Sequence, residues 1–341
     1  MFLKHRTLVL VFTAVSFSTL LLTFRDPGAY LLRYAAARLF PRGPCGCRRC
    51  VAALRDDAWF SQRFNQSVQP LMTRENSVLT EDTFTWWQWL QAERHPASYP
   101  LVVDQLFQLI PDQDRYQDAG PDRCRTCSVV GNSGNLKGSG YGALIDSRDL
   151  VIRMNKAPTR GFQDDVGTRT THHVMYPESA VDLDNDTSLV LVPFKTLDLQ
   201  WLVSALTNGT IQRTYLPVKS KVQANREKVL VYSPTFFKYV HESWLEGRGR
   251  YPSTGFLSLM LALHICDEVS VFGFGSDQYG NWHHYWETNV LSGAFRLTGV
   301  HDGDMESNVT LLLEDRDKIQ MFRGQRDTGG QGQDPDVQGT T

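Results

Sequence analysis

The sequence predicts an α/β fold in which a mainly parallel central sheet is flanked by helices. The chain has 341 residues, of which 41% are hydrophobic, so it can bury a large core. Short apolar segments predict strands at 128–130, 150–154, 171–175, 189–192, 229–232 and 269–272. Patterns typical of helices alternate with them at 197–206, 235–245 and 254–266. Short apolar strands that alternate with helices indicate a parallel sheet covered on both faces.

An apolar segment near the N terminus predicts a membrane anchor. Residues 7–24 carry no charge, follow Lys4 and Arg6, and end at Arg25. Eighteen such residues are long enough to cross a bilayer, and no small-residue cleavage site follows closely. We therefore expect a cytoplasmic tail at 1–6, an uncleaved signal anchor and a luminal remainder, with a cleaved signal peptide and a secreted protein as the alternative.

Composition divides the remainder of the chain into three parts. Residues 25–54 contain several prolines, glycines and arginines and no sustained apolar period, which predicts a stem. Residues 55–323 form the expected luminal domain, which begins with helical patterns that include a tryptophan-rich one at 83–94. Residues 324–341 have almost no apolar side chain, so we expect a disordered tail.

Cysteines and glycosylation sequons agree with an oxidising, luminal environment. Sequons for N-glycosylation begin at Asn65, Asn185, Asn208 and Asn308. The cysteines are even in number and stand at positions 45, 47, 50, 124, 127 and 266. A four-ligand zinc site needs a more regular spacing of Cys or His, so we favour three disulfides. The spacing leaves all of the roughly 15 possible pairings open.

The balance of charge argues against one class of partner. The chain has 35 basic and 37 acidic side chains, a formal net charge of −2, and its basic residues are scattered along the sequence. Proteins that bind nucleic acid present a concentrated positive surface to the phosphate backbone. We therefore expect no nucleic acid partner.

Two segments that contain glycine are candidates for ligand binding. Residues 129–135 lead from a predicted strand into a turn broken by Gly131 and Gly134, a geometry that lets the backbone approach a nucleotide closely. The segment matches neither a GxGxxG motif nor a P-loop, and a plain tight turn is the alternative. Residues 251–255 precede a predicted helix, where they indicate either an anion site at its N terminus or only an N-cap.

Histidines and paired aspartates are candidates for chemistry. His284 lies in a polar and aromatic segment at 280–287, and His301 follows 17 residues later. Histidine exchanges a proton near neutral pH, so these two side chains are candidates for a base and a phosphate partner. The segments 182–184 and 302–304 have the Asp-x-Asp spacing that metal-dependent sugar-nucleotide transferases use. Such triads are common by chance, and we do not favour a metal site.

Four segments, in this order, resemble the motifs of the animal sialyltransferases, glycosyltransferase family 29. Residues 127–178, which include Val-Val-Gly-Asn-Ser-Gly-Asn-Leu and Arg-Met-Asn-Lys-Ala-Pro, resemble the large sialyl motif, and residues 250–275 resemble the small one. Residues 283–287, His-His-Tyr-Trp-Glu, match the third motif, and His301 with Glu306 matches the very small His-x4-Glu motif. The resemblance implies a single Rossmann-like domain of a GT-A-variant type.

The N-terminal half adds a finer resemblance. The predicted anchor, the Cys-x-Cys-x-x-Cys pattern in the stem and the Trp86-Trp87 pair are similar to those of β-galactoside α2,3-sialyltransferases. Members of that group act on Galβ1-3GalNAc of O-glycans and glycolipids. The resemblance also implies a single-pass type II protein of the Golgi membrane, with a released soluble form and a homodimer as open alternatives. Preference between O-glycan and glycolipid acceptors stays undetermined.

The family implies an inverting reaction that uses neither a metal nor another cofactor. The 3-hydroxyl of a terminal galactose would attack the anomeric carbon of CMP-N-acetylneuraminate, and His301 would be the general base. His284 would donate to the departing CMP phosphate with help from the Tyr215 hydroxyl, which replaces a metal. A metal-dependent Golgi transferase that uses a nucleoside diphosphate sugar, and a silent luminal protein that only binds sugars, are the alternatives.

The resemblance also implies the roles of individual residues. The donor-binding residues would be Asn132, Ser133, Asn155, Tyr215, Ser253, Gly255, Gly275, Trp282 and His284. The acceptor-binding residues would be Gln91, Tyr251 and His301, with Gln88 as the neighbour that competes with Gln91. A disulfide would join the large and small motifs as Cys127–Cys266. For the other four cysteines we expect Cys124 to pair with one in the stem, as Cys47–Cys124, which leaves Cys45–Cys50.

Overall fold

The computed structural model describes residues 43–53, 57–91, 93, 95–276, 283–288 and 299–324, all but two of which fall within a compact unit that spans Cys45–Thr341. The predicted cytoplasmic tail, the anchor at 7–24, most of the stem and the tail after Gly324 lie outside the described residues. Within the described part, no helix has the length and apolar character needed to cross a membrane.

A seven-stranded parallel sheet forms the centre of the described domain, and the mainly parallel α/β prediction is confirmed. Its strands are β1 (Thr126–Val130), β2 (Leu150–Met154), β3 (His172–Met175), β4 (Ser188–Leu191), β5 (Val229–Val231), β6 (Glu268–Phe272) and β7 (Gln320–Phe322). The strand order is β5-β4-β3-β2-β1-β6-β7. The first six strands coincide with the predicted segments. β7 was not predicted, because three residues at the edge of a sheet leave no apolar pattern.

Helices cover the sheet. They are α1 (Ala58–Arg63), α2 (Glu81–Gln88), α3 (Tyr99–Leu106), α4 (Gly142–Asp146), α5 (Gln163–Val166), α6 (Thr196–Ala205), α7 (Pro234–Tyr239), α8 (Thr254–Ile265) and α9 (Gly303–Asp315). The predicted helix at 235–245 is divided, because α7 continues as a π-helix at Val240–Trp244. The helix predicted at 83–94 begins earlier, at Glu81, because Thr80 caps it by accepting a hydrogen bond from the Thr83 amide. It ends at Gln88.

Helix α8 is buried on nearly every side, which explains why it is apolar throughout. Its residues from Phe256 to Leu263 are all buried, and it packs against β1, β2, β3 and β6. Ser253 begins the helix, because its hydroxyl accepts a hydrogen bond from the Phe256 amide over 3.1 Å. A helix that is hydrophobic on all faces can form only inside a large core.

The domain contains three disulfides, and they are the three expected pairs: Cys45–Cys50, Cys47–Cys124 and Cys127–Cys266. Residues 45–53, which the sequence analysis assigns to the stem, are packed against the domain. Val51 is only 2% exposed and its amide donates to the Asp267 carbonyl over 2.8 Å. Lys318 donates to the carbonyls of Val51 and Ala53. The folded unit therefore begins before residue 55.

The order of the strands creates a crevice between β1 and β6. From β1 the chain adds strands outward in one direction as far as β5, and then returns to add β6 and β7 on the other side of β1. In open parallel sheets, ligands bind beyond the carboxyl ends of the strands at the point where this direction reverses. The segments after β1, β2 and β6 are therefore expected to form a binding site.

Candidate active site

A cavity of about 500 Å³ lies at this crevice. It is lined by eleven of the residues that the sequence analysis singles out, which are Gln91, Asn132, Ser133, Asn155, Tyr215, Tyr251, Ser253, Gly255, Gly275, His284 and His301. The one remaining candidate, Trp282, lies outside the described residues. The fold thus brings together segments that are up to 210 positions apart in the chain, counted from Gln91 to His301.

Two glycines allow the backbone after β1 to pass close to the backbone after β6. A Cβ atom on Gly131 would lie 2.3 Å from the Gly273 carbonyl oxygen, which is impossible without a shift of the chain. Gly273 has a φ of +66°, a conformation that side chains disfavour. The Ser133 amide then donates to the Gly273 carbonyl over 3.0 Å. Gly131, Ser133 and Gly273 all line the cavity at this contact.

Two asparagines present buried oxygen atoms at the cavity. Asn132 follows β1, and its amide nitrogen donates to the Met154 carbonyl over 3.2 Å. Asn155 follows β2 with a φ of +61°. The side-chain oxygens of both are buried and have no hydrogen-bond partner among the described residues. An unpaired buried acceptor is costly, so both oxygens fit a ligand rich in N–H and O–H donors, such as a nucleoside.

His301 is oriented for use as a base. Its Nδ1 lies 2.8 Å from the Tyr251 carbonyl oxygen, which can only accept, so Nδ1 carries the proton. In the neutral ring Nε2 therefore carries the lone pair. The Tyr251 ring packs edge-on against the imidazole with 5.1 Å between centroids. Burial lowers the pKa of His301 below its ordinary value, and the Tyr251 carbonyl opposes this shift.

Glu306 connects α9 to the start of α8. Its two carboxyl oxygens accept from the Ser253 amide over 2.7 Å and from the Ser253 hydroxyl over 2.5 Å. The side chain is 8% exposed, and burial raises its pKa to about 7, although the hydrogen bonds from Ser253 act to lower the pKa. Directly after His301, Asp302 caps α9 by accepting a hydrogen bond from the Met305 amide. His301 is thereby fixed at the start of a helix.

His284 lies beside the segment that follows β1. Its backbone pairs with Ser133, and the Gly134 amide donates to the His283 carbonyl over 2.8 Å. The imidazole stacks on the Trp286 ring with centroids 4.5 Å apart. Nδ1 lies 2.9 Å from a Glu287 carboxylate oxygen, so it donates and Nε2 is the nitrogen that a ligand can meet. A protonated His284 would donate from Nε2 to an anion.

One carboxylate that the sequence analysis did not single out fixes the loop of Tyr215. Glu178 Oε1 accepts from the Tyr215 amide over 3.1 Å, from the Leu216 amide over 3.4 Å and from the Thr214 hydroxyl. Tyr215 is 66% exposed although its side chain lines the cavity. Glu178 stands 37 positions away from Tyr215, so no local pattern could have connected the two.

Gln91, and not Gln88, lines the cavity. Gln88 instead donates to the Thr196 hydroxyl over 2.5 Å. Gln91 Oε1 accepts from the Lys195 ammonium over 2.6 Å. Burial raises the pKa of Tyr251, which also lines the cavity, and the nearby Gln91 side chain opposes that shift. The structure thus places Gln91 and Tyr251 together, as the resemblance implies.

No aspartate of either Asp-x-Asp triad lines the cavity, although Gly303 of the second triad does, and the carboxylates among the lining residues are Glu178 and Glu306. Asp182 accepts from Lys219 and from the Gln223 amide, and Asp184 caps a turn through the amides of 186 and 187. Asp302 caps α9. Across the described part of the chain, no cluster of three His, Cys, Asp or Glu side chains has a geometry that would bind a metal.

The four sequons differ in structure. Asn65, Asn185 and Asn208 are exposed on turns, whereas Asn308 is exposed on α9 with its threonine, Thr310, buried. The asparagine side chains at 65 and 208 accept hydrogen bonds from the Ser67 and Thr210 hydroxyls of their own sequons. Occupancy by glycans stays a prediction for all four.

Comparison with known proteins identifies the family. A family model described as glycosyltransferase family 29 (sialyltransferase) matches residues 71–318. The CMP-N-acetylneuraminate-beta-galactosamide-alpha-2,3-sialyltransferase 1 of Gallus gallus is 54% identical over 286 residues, with 84% of each chain covered. The protein of that name from Homo sapiens is 53% identical over 288 residues, which cover 84% of this chain and 85% of the human one.

A solved structure shares the fold. The crystal structure of a mammalian sialyltransferase in complex with Gal-beta-1-3GalNAc-ortho-nitrophenol is similar to this chain with a TM-score of 0.77 and 52% identity. The similarity covers 83% of this chain and all of the other, 100% of its length. The resemblance that the four motifs indicate is thereby confirmed. The chain belongs to glycosyltransferase family 29 and is a sialyltransferase.

Proposed function

We propose that this sialyltransferase transfers N-acetylneuraminate from CMP-N-acetylneuraminate to the 3-hydroxyl of the terminal galactose in Galβ1-3GalNAc, with inversion. The observation that carries the proposal is the fixed tautomer of His301 in a cavity at the reversal point of the sheet. Relatives at 53–54% identity are named alpha-2,3-sialyltransferases, and a structural neighbour binds a Gal-beta-1-3GalNAc compound, which supports this linkage and this acceptor.

The attack needs a base on the acceptor side. The galactose oxygen forms a bond to the anomeric carbon of the sialic acid as the bond from that carbon to the CMP phosphate oxygen breaks. His301 Nε2 takes the hydroxyl proton and later releases it to water. Burial keeps the imidazole neutral, which is the form that accepts a proton.

The departing phosphate needs donors because negative charge develops on it. His284 Nε2 and the Tyr215 hydroxyl supply them from the lining of the cavity, and no step uses a metal. Asn132 and Asn155 offer their buried oxygens to the nucleoside, and Ser133, Gly255 and Gly275 line the space that it would occupy. Gln91 and Tyr251 bind the acceptor.

The proposed location follows from the same family. We place the protein as a single-pass type II protein of the Golgi membrane, anchored by residues 7–24, with the domain in the lumen. The three disulfides support an oxidising compartment.

The experiment uses the purified full-length chain with CMP-N-acetylneuraminate and Galβ1-3GalNAc in excess EDTA. We expect release of CMP in proportion to sialylated product, with an α2,3 linkage by NMR. Turnover that returns only with manganese would favour a metal-dependent transferase instead. Binding of CMP without turnover in either condition would indicate a protein that only binds its ligands. Galβ1-4GlcNAc serves as the control acceptor, and equal turnover on it would contradict the proposed acceptor.

A further inference from the structure

A buried histidine on β3 contacts the backbone of one of the two asparagines at the cavity. His173 is 5% exposed, and its Nε2 is in hydrogen-bond contact with the Asn155 carbonyl oxygen. A carbonyl oxygen can only accept, so Nε2 carries a proton and donates it to this bond. His173 is not among the described residues that line the cavity. It therefore contacts a cavity residue without lining the cavity itself.

Asn155 has a backbone conformation that needs support. Its φ of +61° lies in the left-handed region, which residues other than glycine rarely adopt unless the surrounding structure holds them there. Asn155 follows the last pair of the β2–β3 register, Met154 with Val174. Its amide donates to the Val174 carbonyl over 2.9 Å, and its carbonyl accepts from His173. Both polar groups of the Asn155 backbone are thus bound to β3, one of them by a side chain.

The position of this backbone determines where two unpaired oxygens lie. Asn155 lines the cavity, and its Oδ1 is buried without a hydrogen-bond partner among the described residues. The preceding carbonyl, that of Met154, accepts from the Asn132 amide nitrogen over 3.2 Å, which leaves Asn132 Oδ1 as the second such oxygen. A shift of the peptide groups at 154 and 155 would therefore move both acceptors.

The surroundings of His173 favour a neutral ring with a single N–H. Burial lowers the pKa of His173, the Asn155 carbonyl opposes this shift, and the charge of Arg153, its partner in the sheet register, adds to it. A buried polar group costs free energy unless it is hydrogen-bonded. The contact with the Asn155 carbonyl thus satisfies the one N–H that the neutral ring has.

We propose that His173 is a positioning residue for the donor, whose Nε2 hydrogen bond holds the Asn155 backbone so that the carboxamide oxygen meets an N–H or O–H group of the nucleoside. The inference rests on the proposed function and adds to it a residue that does not touch the substrate. Loss of the hydrogen bond should weaken binding of the donor and spare the acceptor.

The main test replaces His173 with a side chain that cannot donate. For His173→Leu we expect the Kd of CMP and the KM for CMP-N-acetylneuraminate to rise about tenfold, because Asn155 loses its fixed position. The acceptor KM should change less than about twofold. Calorimetry with CMP and steady-state kinetics, both on the full-length chain, measure these three constants. An unchanged affinity for CMP would overturn the proposal.

Two amide variants separate the hydrogen bond from the packing of the ring. The amide nitrogen of a glutamine reaches about as far as Nε2 of a histidine, whereas that of an asparagine reaches only as far as Nδ1. His173→Gln should therefore bind CMP within about threefold of the wild type, and His173→Asn should bind it about tenfold more weakly. This pair also decides the question if His173→Leu does not fold. Equal affinities of the two amide variants would overturn the proposal.

His172 provides the matched control. It precedes His173 on β3, is also 5% exposed, and points to the other face of the sheet because side chains alternate along a strand. Its ring contacts the hydroxyls of Tyr116 and Thr171, neither of which is among the described residues that line the cavity. His172→Leu should leave the Kd of CMP unchanged. An increase as large as that of His173→Leu would mean that the two histidines act through stability alone, and would overturn the proposal.

Coupling to Asn155 tests the route by which His173 acts. Asn155→Gly removes the carboxamide and adopts a positive φ without strain. In that background His173→Leu should change the Kd of CMP by less than about twofold, because the group that His173 positions is gone. Full additivity of the two effects would contradict the proposed route.

The wild-type measurements distinguish the two levels of inference. If the wild type transfers sialic acid and the His173 variants bind CMP as it does, only the role of His173 fails. If the wild type binds CMP but transfers no sialic acid, the proposed function fails, and the titrations with CMP still decide whether His173 positions Asn155. If the wild type does not bind CMP, both fail.

Discussion

At the scale of single residues, His301 predicts the dependence of activity on pH. Only the neutral imidazole accepts a proton, and burial lowers its pKa below its ordinary value of 6.5. Activity should therefore be retained as the pH falls below 6.5 and be lost only as it passes the lowered pKa. A profile of kcat/KM against pH checks this expectation, and an acid limb at or above pH 6.5 would contradict it.

A substitution at His301 provides the companion measurement. His301→Ala should lower turnover by about two to four orders of magnitude, the usual contribution of a positioned base. CMP binding should persist, because the buried oxygens of Asn132 and Asn155 are untouched. Retained turnover would remove His301 from the role of base, and loss of CMP binding would indicate a structural effect.

At the scale of elements, the contact between α9 and α8 predicts how stability depends on pH. Burial raises the pKa of Glu306 to about 7 from 4.5, so the folded state binds a proton that the unfolded state releases. The stabilisation is complete below pH 4.5 and is lost as the pH rises through about 7. Glu306→Gln should retain bonds to Ser253 and remove this loss. Urea unfolding midpoints at pH 5 and pH 8 measure this loss of stability. An equal change in midpoint between the two pH values for the variant and the wild type would contradict the prediction.

The loop that carries Tyr215 is a second element whose position depends on one side chain. Glu178→Ala removes the acceptor of three hydrogen bonds to this loop, so we expect the donor KM to rise about tenfold or more. Glu178→Gln keeps an oxygen acceptor and should recover most of the loss. Steady-state kinetics with the donor varied tests both variants, and identical behaviour of Ala and Gln would exclude the hydrogen bonds as the cause.

At the scale of the whole molecule, the Cys127–Cys266 disulfide joins β1 to the end of α8 across 139 positions. A crosslink that closes so long a loop contributes about 2–5 kcal/mol to stability. Paired Ser substitutions at 127 and 266 should therefore lower the melting temperature by several degrees and reduce activity. Calorimetry measures the shift, with Ser substitutions at 45 and 50, which close a loop of five positions, as the control of smaller effect.

Most of the fold was predictable because of how a parallel sheet is buried. Strands covered on both faces require continuous apolar runs, and β2 and β6 each have four buried residues in succession. β7 and α3 escaped prediction because one is too short and the other follows a loop without a strong pattern. The helix after His301 was also not predicted, since Asp302 and Gly303 at its start are residues that also form turns.

The site was predictable only where a motif carries it. His284, His301 and Asn132 stand in segments that resemble those of the family, and the structure brings them to one cavity. Glu178 and Lys195 act through contacts to residues 37 and 104 positions away, a relation that no local spacing expresses. Such support of a site by distant side chains becomes visible only when the chain is folded.

The place of β1 in the middle of the sheet has a consequence for synthesis. β1 and the four strands on one side of it can pair as soon as they leave the ribosome, but the other edge of β1 remains open until residue 272 has been made. During that interval the edge can pair with another chain, and Cys127 has a free thiol while its partner is still untranslated. The edge of this nascent half-sheet and the Cys127 thiol therefore stay exposed for the time needed to translate about 140 codons, which is the period of greatest risk for misassembly.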